Sequence, residues 1–141
     1  MSQENVETVR RAVEAWNRGD MEAYVAFFHP DCEWFSAVAR QIEGDDALVR
    51  GRKGMRQFWE EWHSVWDLTI LALEYRDLGD TVLMLGRMTT RGKTSRIEVD
   101  GPVAYVAENE QGLIRKLRAY RDHAEALEAV GLSQQDAHAD S

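Results

Sequence analysis

Apolar residues in the first half of the chain recur every three or four positions, the spacing of amphipathic helices. One such stretch runs from Glu4 to Arg18 and stops at Gly19, which suits the left-handed position after a helix. Another, residues 51–66, carries a wide stripe of bulky apolar side chains. Its members are Met55, Phe58, Trp59, Trp62 and Trp66. The pattern predicts a helix over each stretch.

A shorter helix is predicted between these two. Asp20 is a favoured N-cap residue, and Phe27 and Phe28 provide the apolar face that follows it. Pro30 disfavours helical backbone at the residue before it, so the helix is expected to end there. Because only a tight turn separates this helix from the first, the two are predicted to form an αα-hairpin.

After Asp67 the helical period gives way to runs rich in Leu, Ile, Val, Thr and Tyr, which are typical of strands. Short turns containing glycine separate the runs, so the sequence predicts an antiparallel meander and an α+β fold class. Pro102 has no N–H to donate and is expected at a bulge or a sheet edge. The four runs cover residues 68–76, 81–90, 95–107 and 113–121.

The remaining segments are short. A strand is predicted near residues 32–35, a polar loop at 43–46 and a last helix at about 123–130. Length and the lack of a dividing linker predict a single domain over residues 1–132. The polar tail, residues 133–141, is expected to be disordered.

Composition narrows the function classes. The formal net charge of −8 argues against nucleic acid or an anionic membrane as the partner, since both require a basic surface. Cys32 is the only cysteine, which excludes an intrachain disulfide and favours a reducing compartment. The chain shows neither a signal-peptide pattern nor an apolar run of the ~20 residues that a bilayer span needs. We therefore expect a cytoplasmic protein.

Three groups of residues occur in an order and spacing found together in one protein family. They are VEAWNRGD (13–20) followed by FHPDCEW (28–34); RGRKGMRQF (50–58); and GLIR (112–115), running into YRD (120–122) and ALEAVGL (126–132). Together they resemble the SnoaL-like polyketide cyclases of the nuclear transport factor 2-like superfamily. The likeness extends over nearly the whole chain.

This resemblance implies a cone-shaped α+β barrel, in which a curved mixed or antiparallel sheet wraps around three helices from the N-terminal half. It also implies an apolar pocket and a homodimer, commonly formed through the sheet. Relatives include polyketide cyclases, ketosteroid isomerases, limonene epoxide hydrolases and proteins with no known reaction, so the fold alone does not assign chemistry.

The leading interpretation is a cofactor-independent cyclase or isomerase that binds a small hydrophobic carbonyl compound and acts by acid-base catalysis. The alternatives are a non-catalytic binding domain for such a ligand and an accessory dimerisation subunit. No metal-ligand spacing, nucleophile elbow or phosphate-binding loop is found, so neither a metal nor a cofactor is expected.

Asp122 is the first catalytic candidate. The resemblance implies a working aspartate at the end of the last strand, and apolar surroundings would raise its pKa toward that of a general base. Residues 122–125 also read as a capping box, in which Asp122 only caps the last helix. The middle strand has Arg87-Met88-Thr89 where an epoxide hydrolase needs Arg-x-Asp, which argues against epoxide hydrolysis.

Tyr120 and His63 are the other catalytic candidates, as groups that would polarise a ligand oxygen. Strand alternation places Tyr120 on the same face as Asp122, and Tyr24 and Tyr105 are further phenol donors. His63 lies on the tryptophan-rich helix, where it is either a pocket residue or a locally paired histidine. The predicted ligand pocket consists of Trp16, Phe28, Trp34, Trp59, Trp62 and Tyr105, although most of these aromatics would also serve as core.

Basic residues cluster where the third helix begins. They either pair with carboxylates of the loop at 43–46 or hold an anionic ligand at the helix N-terminus. The residues concerned are Arg50, Arg52, Lys53 and Arg56.

Overall fold

Helices and strands fill almost all of residues 2–35 and 49–132, the parts of the chain that the computed structural model describes. The helices are α1 (Ser2–Asn17), α2 (Met21–Ala26), α3 (Gly51–Val65) and α4 (His123–Ala129). The strands are β1 (Phe28–Phe35), β2 (Val49–Arg50), β3 (Trp66–Leu78), β4 (Thr81–Gly92), β5 (Glu98–Glu110) and β6 (Leu113–Tyr120). No helix in these parts is long and apolar enough to cross a bilayer. The predicted loop at 43–46 and the predicted tail at 133–141 lie outside them.

The described strands form one mixed sheet in the order β2-β1-β6-β5-β4-β3. Strands β3 to β6 make the predicted antiparallel meander, and β1 joins β6 in parallel. The sheet is curved and does not close, so β2 and β3 are its edges. The α+β cone expected from the sequence is therefore confirmed.

A β-bulge bends the ladder between β3 and β4 near its middle. The register shifts at Leu73, which has no partner on β4. Gly86 is required opposite the bulge, because a Cβ there would stand 2.3 Å from the carbonyl oxygen of Leu71. Bulges bend the strand and increase its local twist, so this site contributes to the curvature of the sheet.

The alternation of side chains along the strands divides the core into two layers. Met84, Tyr105 and Ala119 are cross-strand neighbours on the inner face, the face that packs against α1, α2 and α3. Buried inner-face residues include Val9, Trp16, Tyr24, Val25, Phe28, Cys32, Met55, Trp59, Met84 and Leu117. The outer face carries α4, and its buried cluster is Leu83, Leu85, Ala104, Val106, Tyr120, Ala126 and Leu127.

The end of α1 covers part of the free edge of β3. Asn17 donates from Nδ2 to the carbonyl of Ile70 at 2.7 Å and accepts at Oδ1 from the N–H of Ile70 at 2.9 Å. Trp16 donates from Nε1 to the carbonyl of Leu68 at 3.1 Å. Edge groups left unpaired would attract other strands, so these bonds protect the edge and fix the Trp16 ring in the inner core.

The second helix is shorter than predicted. It ends at Ala26, and Phe28 already begins β1 instead of continuing the helix. The cause is a long-range contact: the carbonyl of Phe27 accepts from the N–H of Ile114 at 2.9 Å, and Ile114 is the register partner of Phe28. Tertiary pairing with β6 therefore overrides the helical pattern here.

Pro102 occupies the kind of position that its missing N–H predicts. It pairs with Arg87 of β4, but the pairing between β5 and β6 stops at Ala104 and Tyr120. At Pro102, β5 therefore has a partner strand on one side only within the described sheet. This makes the position a local sheet edge.

Candidate functional site

Aromatic rings from three helices meet on the inner face. The Trp16 and Trp59 ring centroids lie 4.7 Å apart, and Tyr24 approaches Trp59 to 5.3 Å and Phe28 to 5.0 Å. We call Trp16, Tyr24, Phe28, Trp59 and His63 the inner aromatic cluster. These ring pairs are edge-on or tilted, which are geometries that aromatic pairs favour, so the cluster is well packed.

His63 contributes an imidazole ring to this cluster. Its ring stacks on Trp59 with centroids 4.1 Å apart and an interplanar angle of 16°, and it also contacts Trp16 at 4.8 Å. The Nδ1 atom lies 2.9 Å from the carbonyl oxygen of Trp59, which can only accept, so Nδ1 carries the hydrogen. In the neutral ring Nε2 then has a lone pair, and no described residue forms a hydrogen bond with it.

A second group of rings, half-buried or nearly so, continues along the side of α3. Centroid distances are 4.6 Å between Trp34 and Phe58, 5.9 Å between Phe58 and Trp62, and 6.2 Å between Trp62 and Trp66. We call these four residues the half-buried wall. Ligand clefts are lined mainly by apolar and aromatic side chains, so the half-buried wall has the composition of such a lining.

Trp62 has an unpaired polar atom in this wall. Its Nε1 is buried and has no hydrogen-bond partner among the described residues. A buried donor that lacks an acceptor costs free energy, and such groups are uncommon in folded proteins. The indole N–H of Trp62 is therefore a hydrogen-bond donor that the described residues leave unused.

Two tyrosines add hydroxyl groups to the inner face. Burial raises the pKa of Tyr105 to about 12. Burial also raises the pKa of Tyr24 well above its usual value, and the neighbouring Tyr105 and Cys32 raise it further. Both phenols are accordingly neutral hydrogen-bond donors over the physiological pH range.

The three predicted catalytic residues do not come together. His63 belongs to the inner aromatic cluster, whereas Tyr120 packs in the outer cluster with α4. Asp122 is exposed and is the N-cap of α4, where its Oδ1 accepts from the N–H of Ala124 at 2.9 Å. Asp122 thus has the N-cap role that the sequence allowed, through a bond to the N–H of Ala124.

The predicted pocket residues do share one face. All six lie in the inner core or pack against it: Trp16, Phe28, Trp34, Trp59, Trp62 and Tyr105. Sequence reasoning omitted Tyr24 and Phe58 from this set. Tyr24 could have been found from its spacing, four residues before Phe28, and Phe58 from its place beside Trp59 and Trp62 in the apolar stripe of α3.

An open depression lies on the other side of the sheet. It measures about 520 Å³ and is lined by Leu78, Thr81, Val106, Glu108, Arg118, Tyr120, Ala129 and Val130. The charged side chains in it, Arg118 and Glu108, are 4.0 Å apart. We place the candidate site on the inner face instead, because the oriented His63 and the unpaired Trp62 donor are there.

The basic cluster at the start of α3 is engaged with neighbouring elements. Arg50 pairs with Glu33 at 3.0 Å, and Arg56 pairs with Glu22 at 3.1 Å in an exposed ion pair. Arg52 donates from Nε to a backbone carbonyl of β1 at 2.8 Å. The loop at 43–46, which was the predicted partner, lies outside the described residues.

Comparison with known proteins agrees with the fold. The sequence model of a family described as SnoaL-like domain matches residues 9–129. No functionally curated protein matches the sequence.

Three solved structures illustrate the fold. An NTF2-like protein of unknown function from Burkholderia pseudomallei aligns with a TM-score of 0.74 and 19% identity, covering 91% of this chain and 98% of that one. TerC, crystallised with polyporic acid, aligns with a TM-score of 0.73 and 18% identity, covering 84% of this chain and 92% of TerC. The third is a Catenulispora acidiphila protein with a ketosteroid isomerase-like fold, in complex with trimethylamine. It aligns with a TM-score of 0.71 and 17% identity, covering 89% of this chain and 93% of that one. At these identities the likeness concerns the fold.

Proposed function

Because this chain belongs to the SnoaL-like domain family, we propose that its inner face binds a small hydrophobic carbonyl compound and acts on it by acid-base catalysis without a cofactor. The observation that carries this proposal is His63, a proton-transfer group held in a fixed orientation among aromatic rings. Two structures of similar fold hold small molecules, polyporic acid in TerC and trimethylamine in the Catenulispora protein. They support a small-molecule-binding protein of the nuclear transport factor 2-like fold.

The chemistry follows from the position of the His63 lone pair. Nε2 removes a proton from the carbon next to the ligand carbonyl; the C–H electron pair forms the enolate, whose charge rests on oxygen. If the ligand has a β,γ double bond, the enolate extends to a dienolate and the imidazolium returns the proton to the γ-carbon, which isomerises the ligand. If the ligand has a second carbonyl, the enolate carbon attacks its carbon, the C=O π pair moves to oxygen, and the imidazolium protonates that alkoxide. A positioned general base of this kind contributes a rate factor of about 10² to 10⁴.

The second candidate function is binding without catalysis. It is favoured by the separation of the predicted catalytic residues, because Tyr120 lies in the outer cluster and the Asp122 carboxylate caps α4. On this interpretation the half-buried wall binds a ligand, and His63 acts only as a hydrogen-bonding group.

We also propose that the protein is a homodimer formed through the outer face of the sheet. Leu71 and Leu73 are 58% and 60% exposed on the edge strand β3. Adjacent exposed leucines on an outer strand are typical of a surface that another protein covers. The same surface would serve an accessory dimerisation subunit, the third interpretation of the sequence.

Deuterium exchange tests the catalytic proposal. The probe is 2-tetralone, a bicyclic ketone with exchangeable protons beside its carbonyl, incubated with the protein in D2O and followed by NMR. We expect the wild type to accelerate exchange, and we expect the catalysed exchange rate of His63→Gln to be at least about 100-fold lower than that of the wild type. The matched control is His123→Gln, because His123 lies on α4 and binds the carbonyl of Gly86 at 2.8 Å.

Binding is measured in the same samples from tryptophan fluorescence, since four of the tryptophans lie in or against the inner core. Saturable binding with exchange that His63→Gln abolishes supports the enzyme. Saturable binding with no acceleration of exchange supports the binding domain and contradicts catalysis. Absence of binding contradicts both.

A further inference from the structure

The open depression on the outer face has the size of a small-molecule site. Its volume of about 520 Å³ lies within the range of about 300 to 1,000 Å³ that is usual for ligand pockets. Its apolar lining comes from Val106 on β5 and from Ala129 and Val130 at the end of α4. Leu78 and Thr81 line it from the turn between β3 and β4. The depression therefore offers an apolar surface on which a small molecule can lie.

Arg118 is the cation of this depression, and its cross-strand neighbours are apolar. Its register partners are Phe35 on β1 and Val106 on β5. The guanidinium carbon lies over the Phe35 ring, 4.5 Å from the centroid. The Arg118 side chain is 30% exposed, so the charge is partly removed from water. In such surroundings an anion stabilises a guanidinium more than it would in bulk water.

Glu108 neutralises Arg118 only in part. Among the described residues, the one ion pair of Arg118 joins its Nε to Oε2 of Glu108 at 4.0 Å, which is too long for a hydrogen bond. Lys116 is the register partner of Glu108, so two cations of β6 flank this carboxylate. Glu33, on the other side of Lys116, is itself paired with two arginines. The two Nη atoms of Arg118, the fork that suits a carboxylate, thus have no carboxylate partner in the described chain.

We propose that the depression is a second ligand site, which binds a monocarboxylate with a compact apolar body. The carboxylate accepts hydrogen bonds from the Nη atoms of Arg118, and the apolar body lies against Val106, Ala129 and Val130. The sheet separates this site from the inner face, because Val106 belongs to the outer buried cluster. The negative charge of the ligand distinguishes it from the carbonyl compound proposed for the inner face, so the two sites can be tested independently.

NMR titration of the full-length protein with three probes of one ring system tests the proposal. The probes are 2-naphthoate, the neutral 2-naphthamide and the cationic 2-naphthylmethylamine, and the readout is the methyl signals of Val106 and Val130. We expect saturable shifts of both signals with 2-naphthoate, at a Kd at least about tenfold lower than that of the amide, since hydrogen bonds between charged groups are stronger than neutral ones. Arg118→Gln should raise the Kd of 2-naphthoate about tenfold and leave the Kd of the amide unchanged.

Arg87→Gln is the matched control for the loss of one positive charge. Arg87 lies on the outer face, two residues after Leu85 of the outer cluster, and pairs with Asp100 at 3.3 Å. It does not line the depression. This variant should bind 2-naphthoate as the wild type does.

Several outcomes would overturn the carboxylate site. Equal affinity for 2-naphthoate and its amide would do so, and tighter binding of the amine would make Glu108 the recognising group instead. Wild-type affinity in Arg118→Gln would remove the proposed role of Arg118. Unmoved valine signals with all three probes would refute a second ligand site and leave the proposed function intact, because that function is tested with 2-tetralone at the inner face. The comparison of the three probes on the wild type keeps the proposal falsifiable if Arg118→Gln does not fold.

Discussion

Single polar groups distinguish the inner face from an ordinary apolar core. His63 is oriented by the Trp59 carbonyl, the Trp62 N–H has no acceptor, and Tyr24 and Tyr105 have no hydrogen-bond partners among the described residues. A buried donor without an acceptor is uncommon in native cores because it costs about 1–3 kcal/mol, and the Trp62 N–H is such a donor among the described residues. A ligand with a single acceptor oxygen would satisfy some of these polar groups.

The raised pKa of Tyr105, about 12, predicts a loss of stability in alkali. The unfolded chain releases this proton near pH 10 and the folded protein holds it, so the stabilisation is complete below about pH 10. It is lost as pH rises from about 10 toward 12, at up to ~1.4 kcal/mol per pH unit. Urea unfolding between pH 8 and 11.5 should show a shallower decline for Tyr105→Phe. Identical slopes for variant and wild type would refute the burial of this hydroxyl.

Asp122 supports α4 through its bond to the N–H of Ala124. We expect Asp122→Ala to lower the free energy of unfolding by about 1 kcal/mol and Asp122→Asn to change it little, since Asn caps helices about as well. Neither substitution should alter the affinity for 2-tetralone. Denaturant titration and fluorescence binding measure the two effects. Loss of catalysed exchange in a fully stable Asp122→Asn variant would instead make Asp122 catalytic.

Sequence reasoning at this scale succeeded where a local pattern carries the information. The capping box at residues 122–125 identifies the Asp122 contact, and the aromatic stripe of α3 identifies most of the half-buried wall. It grouped Tyr120 with His63, whereas the structure places Tyr120 in the outer cluster and His63 in the inner aromatic cluster. Strand alternation relates Tyr120 only to its strand neighbours and does not tell which face of the sheet packs against the helices.

At the scale of elements, the bulge between β3 and β4 gives the sheet part of its bend, and Gly86 permits it. The backbone carbonyl of Leu71 stands 2.3 Å from where a Cβ on residue 86 would be, so the strand itself would have to move. Overpacking of this kind costs about 1–3 kcal/mol.

Gly86→Ala is therefore expected to lower the unfolding free energy by about 1–3 kcal/mol, measured by urea titration. Gly101→Ala is the control, because it lies on the adjacent strand β5 and a Cβ there meets nothing within 4 Å. Equal stability of the two variants would show that the close approach of the strands at Gly86 is not required.

The antiparallel meander could be predicted because alternating runs and glycine turns are local signals. The parallel pairing of β1 with β6 could not be predicted from the residue pattern, since its partners, such as Trp34 and Leu117, are far apart in sequence. The same long-range pairing explains why the predicted end of α2 was wrong at Phe28. The cone as a whole was predicted only from the family resemblance.

At the scale of the molecule, the exposed leucines of β3 predict a dimer. The wild type should have the mass of two chains in sedimentation, and Leu71→Glu with Leu73→Glu should convert it to one chain by placing charge in the covered surface. Val99→Glu is the control, since Val99 is equally exposed, at 60%, on another strand. A wild type with the mass of one chain would contradict the proposal.

The position of a bound ketone tests the central claim most directly. We would titrate 2-tetralone into isotopically labelled protein and follow the indole N–H signals of Trp59 and Trp62 together with the methyl signals of Val106 and Val130 by NMR. Binding at the inner face predicts saturable shifts of the indole signals, with a downfield shift for Trp62 if it donates to the ligand, and unmoved valine signals. Shifts confined to the valines, which line the depression on the outer face, would contradict the claim.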